Sequence, residues 1–77
     1  MVHTRAGCGL CARAEDLARR EGRRADVRFV DVDSDEELVR RHGVRVPVVE
    51  LDGQEIAAYE VHPGDIRRAL RRARRSR

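Results

Sequence analysis

The sequence predicts an α/β domain in the order β-α-β-α-β-β-α, a four-stranded mixed sheet flanked by helices. Three observations carry this. A stretch of helical periodicity separates the first two strand-like runs, which makes them a parallel pair joined by a right-handed crossover. Asp52-Gly53 sits between two later β-rich runs and marks an antiparallel hairpin. An amphipathic pattern closes the chain as a helix. With 77 residues, the chain makes a single domain spanning 1–77, with a core too small to tolerate long irregular loops.

The elements follow in order. Met1 to Thr4 reads as a short first strand. A helix then starts near Gly9, where Leu10, Ala14, Leu17 and Ala18 keep the i, i+4, i+7, i+8 spacing of one buried face. Glu15 with Arg19 and Asp16 with Arg20 are i, i+4 pairs on its solvated side. Gly22 is the expected C′ stop. Val27-Arg-Phe-Val-Asp-Val32 is β-branched and predicts a strand buried between layers. Ser34 with Glu37 reads as a capping box, supported by Asp35 and Glu36 at the same helix N-terminus. That short helix passes through Leu38 and Val39 and ends at His42-Gly43, with Gly43 again at C′. Pro47–Leu51 and Glu55–Tyr59 are the hairpin strands. Beyond Pro63-Gly64, Ile66, Ala69, Leu70 and Ala73 form the apolar stripe of the last helix, and Asp65 suits its first turn. Residues 74–77 are expected to fray as a basic tail.

Composition narrows the function classes. Apolar and charged residues each make up 40% of the chain, and the aromatics are one Phe and one Tyr. All 17 cations are Arg, and seven of them fall between Arg67 and Arg77. Nucleic-acid binding commonly adds aromatics for stacking, so this cluster is expected to be a solvated helix face. No apolar run approaches the roughly 20 residues of a membrane span. No signal-peptide pattern precedes Arg5. The expectation is a soluble, cytoplasmic protein with no membrane partner and no nucleic-acid partner.

The two cysteines, Cys8 and Cys11, lie where the first strand feeds the first helix. A loop closed over two residues constrains the unfolded chain very little, so a purely structural disulfide is disfavoured. Cys8 stands just before the helix, facing unpaired amides and the positive end of the dipole, which favour the thiolate that attacks disulfides. Cys11 lies one turn on and on the same side, placed to resolve a mixed disulfide at Cys8. A metal site is the alternative. Two thiolates cannot close a tetrahedral zinc, and His3, His42 and His62 are the residues that would have to complete it. His3 and His62 are expected to be ordinary surface or strand residues, and no metal is assigned.

Three motifs in this order resemble the thioredoxin superfamily on its glutaredoxin-like side, in particular its small bacterial members. Thr4-Arg-Ala-Gly-Cys-Gly-Leu-Cys11 is similar to the active-site turn. Gly43-Val-Arg-Val-Pro-Val48 is similar to the segment bearing the family's cis-proline, and Leu51-Asp-Gly-Gln-Glu55 to the hairpin that follows. The resemblance spans Thr4 to Leu70. It implies a thioredoxin-like fold and a thiol–disulfide oxidoreductase, with Cys8 as nucleophile and Cys11 as resolving thiol. It implies a cis Pro47 beside the dithiol and a Val46 backbone that pairs with an extended substrate. Arg5 is expected to add positive charge near the thiolate or to meet a glutathione carboxylate.

The chain departs from the family in two places. Gly9 replaces the proline common in C-P-x-C, and some relatives without that proline hold an iron–sulfur cluster between two monomers. Ile56-Ala-Ala-Tyr-Glu60 stands where good glutathione binders carry Gly-Gly and an acidic pair, leaving Glu60 alone to receive the glutathione amine. The expected partners are a disulfide-bearing protein or small thiol, with glutathione, another thiol or a reductase as electron donor, and no resident cofactor is required. The competing reading is a non-catalytic binding module of the same fold, or an iron–sulfur carrier.

Overall fold

The computed structural model describes residues 1–75. In chain order the elements are β1 (Val2–Thr4), α1 (Gly9–Glu21), β2 (Phe29–Asp31), a 3-10 turn (Val32–Ser34), α2 (Glu36–His42), β3 (Val48–Leu51), β4 (Gln54–Ala58) and α3 (Asp65–Arg75). The sheet order is β2-β1-β3-β4. β1 runs parallel to β2, with His3 opposite Val30. It runs antiparallel to β3, with His3 opposite Val48.

β1 is the strand that looks weakest in the sequence, yet it takes the centre of the sheet. Pairing on both edges offsets its three-residue length, and all three residues are buried. The ladder extends past its formal start, where Val2 N–H donates to the Arg28 carbonyl and Glu50 N–H to the Met1 carbonyl. β2 corrects the expectation for its segment. It is an edge strand with an exposed, half-buried, exposed pattern, and Phe29 is 38% exposed. The Arg19 guanidinium covers the Phe29 ring at 4.7 Å, a cation–π contact rather than a second packed layer. Val32 has left the strand and is fully buried in the 3-10 turn.

The main core fills one face of the sheet. Ala14, Leu17 and Ala18 of α1 and Ile66 of α3 pack with Val61 on Val2 and Val49, with Val27, Ile56, Ala57 and Leu70 at the margin. Alanine at two of the three α1 positions lets the helix lie close to the sheet. A second, smaller cluster joins Cys11, Val32 and Val46, flanked by Cys8 and Leu38.

Three local expectations change. Asp35, not Ser34, caps α2, accepting the Glu37 N–H at 2.8 Å. Ser34 belongs to the preceding turn and donates its hydroxyl to the Asp31 carbonyl. Gly22 and Gly43 follow their helices with negative φ, so left-handed geometry is not why they are glycine. At Gly22 a Cβ would lie 2.6 Å from a Val27 methyl and 2.7 Å from the Ala18 carbonyl oxygen. Arg74 and Arg75 lie within α3, where a tail was expected to begin; the last two positions of the expected tail lie outside the described residues. The hairpin is as expected, with Asp52 and Gly53 both at positive φ, the type I′ requirement. At the start of α3, Glu21 from the end of α1 reaches across and accepts the Gly64 and Arg67 N–H groups.

Candidate active site

The first strand delivers the chain to a tight turn, Arg5 to Cys8, in which Gly7 has a φ of +74°. That left-handed position admits glycine without strain. Cys8 is extended and forms the N-cap of α1. Its Sγ accepts the Cys11 N–H at 3.2 Å, while its carbonyl accepts the Ala12 N–H and starts the helix. The sulfur thus takes the place a Ser or Asp oxygen holds in an ordinary cap.

The two sulfurs sit in different surroundings. Cys8 is half-buried, whereas Cys11 is 0% exposed. Burial first, and then the Cys8 sulfur beside it, push the Cys11 thiol up to about 11, while a hydrogen bond from the Arg5 backbone pulls the other way. The dithiol therefore pairs an accessible sulfur with a buried one that keeps its proton.

The Val46–Pro47 peptide is cis, as the resemblance implied. Val46 packs against Cys11 and Val32, so this segment walls the buried sulfur. The Arg45 and Pro47 carbonyls both accept the Tyr59 N–H. Among the described residues no hydrogen bond engages the Val46 backbone between them. Val44, just upstream, is 93% exposed.

Arg5 is anchored by two neighbouring segments. Its guanidinium makes a two-pronged contact with Asp33, both bonds 3.0 Å, and donates to the Gly43 carbonyl at 3.1 Å. It ties the active-site turn to the 3-10 turn and to the end of α2. The hydrogen bond to the Asp33 carboxylate raises its pKa, and Cys11 also acts on it electrostatically. Glu60 lies beside the dithiol turn, lining a shallow groove with Leu10, Arg13, Val61 and His62. His62 is exposed and 3.7 Å from the Glu60 carboxylate, a surface residue as expected.

One cluster was not legible in the sequence. His3 and His42 are both buried, with ring centroids 4.4 Å apart. His3 Nε2 lies 2.6 Å from a Glu50 carboxylate oxygen. His3 hydrogen bonding holds Glu50 below the usual carboxylate range, and burial lowers His42. The available signal was alternation along β3, which puts Glu50 on the face of Val48, the residue opposite His3. Two of the three histidines weighed as partners for the thiolates, His3 and His42, are gathered with Glu50, and neither cysteine belongs to that cluster.

Comparison with known proteins agrees with this architecture. A family model described as Glutaredoxin-like domain (DUF836) matches residues 1–71. The X-ray structure of Northeast Structural Genomics target protein XcR50 from X. campestris superposes with a TM-score of 0.74 and 29% identity, covering 92% of this chain and 93% of that one. No curated protein matches. With a C-x-x-C pair at the head of α1, a cis-proline beside it and this sheet order, the chain belongs to the glutaredoxin-like domain (DUF836) family of the thioredoxin superfamily.

Proposed function

We propose that the protein is a thiol–disulfide oxidoreductase that reduces protein or low-molecular-weight disulfides through Cys8 and Cys11. The observation that carries this reading is the unequal setting of the two sulfurs. Cys8 is accessible and caps α1, where unpaired amides converge and an anion is accommodated. Cys11 is sealed in the small core and held protonated.

The Cys8 thiolate attacks one sulfur of the substrate disulfide, forming a mixed disulfide and releasing the other sulfur as thiolate, which takes up a proton. Cys11 then loses its proton to solvent or to that leaving group. Its thiolate attacks Cys8 Sγ, breaks the mixed disulfide and expels the second substrate thiolate. Two electrons have passed to the substrate, and the chain holds a Cys8–Cys11 disulfide that an external thiol or a reductase returns to the dithiol. The surroundings time the second step. Part of what holds the proton on Cys11 is Cys8 itself. Once Cys8 is bonded to substrate its charge is gone, and Cys11 ionises more readily when it is needed.

Val46 and Pro47 fit the substrate side of this reading. A backbone without a protein partner beside the sulfurs suits an extended segment pairing as a strand, and the absent Pro47 N–H keeps that edge from closing on its own chain. The reading places the protein in the cytoplasm, where thiols are kept reduced.

The test is reduction of a model disulfide by wild type, Cys8→Ser and Cys11→Ser, supplied in turn with glutathione and with a thioredoxin-reductase system. Wild type turns over with at least one donor, Cys8→Ser is inactive, and Cys11→Ser accumulates a mixed disulfide visible by mass. Absence of wild-type turnover with both donors overturns the reading. An iron-dependent absorbance after anaerobic reconstitution is the outcome that belongs to cluster carriage instead.

A further inference from the structure

Away from the dithiol, the chain spends three polar side chains on one spot between α2 and the sheet. We propose that His3, His42 and Glu50 form a binding site for a divalent transition-metal cation of the zinc class. One donor atom from each residue lies within 4.8 Å of the other two. His3 is 3% and His42 6% exposed. His3 Nδ1, His42 Nδ1 and His42 Nε2 are all buried without a hydrogen-bond partner.

A hydrogen-bonded core histidine explains only part of this. The His3–Glu50 contact gives His3 Nε2 a partner and accounts for a carboxylate at that position. It leaves His42 with neither its N–H nor its lone pair satisfied. Buried imidazoles almost always find partners, and an aliphatic side chain would fill the same place at less expense. Buried imidazole nitrogens without partners beside a carboxylate are donors that a metal ion can recruit.

The donor set and its spacing suit zinc. Two imidazole nitrogens and one carboxylate oxygen make a three-ligand set that leaves a fourth position for water. Tetrahedral zinc places neighbouring donors about 3.3 Å apart, from bonds of about 2.0–2.2 Å. His3 and Glu50, at 2.6 Å across a shared proton, separate once that proton leaves for solvent. Binding turns the Glu50 side chain and opens the two imidazole rings, now 33° from parallel, so that their in-plane lone pairs reach one ion; the 18% exposure of Glu50 gives that ion a way in. Arg41 acts electrostatically on both His42 and Glu50 and opposes a cation, so the site is expected to be selective for ions that bond well to imidazole. Magnesium and calcium, which take oxygen ligands, do not fit.

The test uses the full chain carrying Cys8→Ser and Cys11→Ser, which removes thiolate binding and separates this inference from the redox reading. Equilibrium dialysis against zinc is expected to give one ion per chain. Cobalt substitution is expected to give tetrahedral visible bands without a thiolate charge-transfer band. In the same background Glu50→Gln and His42→Gln each weaken zinc binding more than about 100-fold, beyond the loss expected from outer-shell changes, and His62→Ala leaves it intact. Glu50→Gln is nearly isosteric at a partly exposed position, so it keeps the test sound if His42→Gln unfolds. A thiol-free chain that takes up no zinc, or one whose affinity Glu50→Gln does not change, overturns the proposal.

Discussion

Cys11 carries a pH dependence set by its burial and by the Cys8 sulfur beside it. Its thiol is raised from 9.0 to about 11, chiefly by burial. Between those values the folded chain holds a proton that the unfolded chain has lost. The stability this contributes is therefore complete below pH 9 and is lost as pH rises towards 11. Urea unfolding at pH 8, 9, 10 and 11 is expected to show the decline in wild type and a smaller one in Cys11→Ala. Equal slopes in the two proteins would remove the account of a buried, proton-holding thiol. Gly9 gives a second residue-scale prediction. It opens α1, its Cβ position meets nothing within 4 Å, and Cys8 before it already has the extended backbone proline requires. Gly9→Pro is therefore expected to stabilise the fold by about 0.4–1 kcal/mol, through lower entropy of the unfolded chain. A thermal melt reads it directly; a lowered midpoint counts against a helix that starts at Gly9.

At the scale of elements, α1 and α3 hold each other by a cap supplied across the gap. Glu21 accepts two amide hydrogens at the α3 N-terminus, satisfying orphan donors and opposing the dipole. Glu21→Ala is expected to cost about 0.5–2 kcal/mol, which for a domain of this size lowers the melting temperature by roughly 4–8 °C per kcal/mol. Gly22, the next residue, tests the packing below that cap. Gly22→Ala drives a methyl into Val27 and the Ala18 carbonyl and is expected to lose about 1–3 kcal/mol, as overpacking does. Element existence was readable because it rests on local pattern: the spacing of Leu10, Ala14, Leu17 and Ala18, the Asp52-Gly53 turn, the stripe of α3. Sheet position was not. Val27–Val32 looks more like a central strand than Val2–Thr4 does, yet strand order depends on which edges are covered, and β1 lies between two partners. The Ser34 expectation failed for a similar reason, since a 3-10 turn shifted the helix start by one residue.

For the whole molecule, the sheet separates two chemistries. The main apolar core lies on the face that packs α1 and α3, and the His3–His42–Glu50 cluster lies between the sheet and α2. The dithiol was legible because both cysteines fall within four residues and next to a helix start. The histidine cluster was not, because His3 and Glu50 stand 47 residues apart and meet only through β1–β3 pairing. The Arg5–Asp33 clamp was hidden in the same way, by a contact across 28 residues.

β1 precedes both of its sheet neighbours in the chain, and this bears on the order of pairing during synthesis. β1 finds its parallel neighbour only when Phe29 to Asp31 have appeared, and its second neighbour only when Val48 and Val49 have. Until then the residues around Cys8 lack the Val46–Pro47 wall, and both thiols meet whatever oxidants surround the nascent chain. Pairings over such separations form late. A ribosome-bound chain stalled before Val46 is thus expected to show both cysteines open to alkylation, and one released past β4 only Cys8.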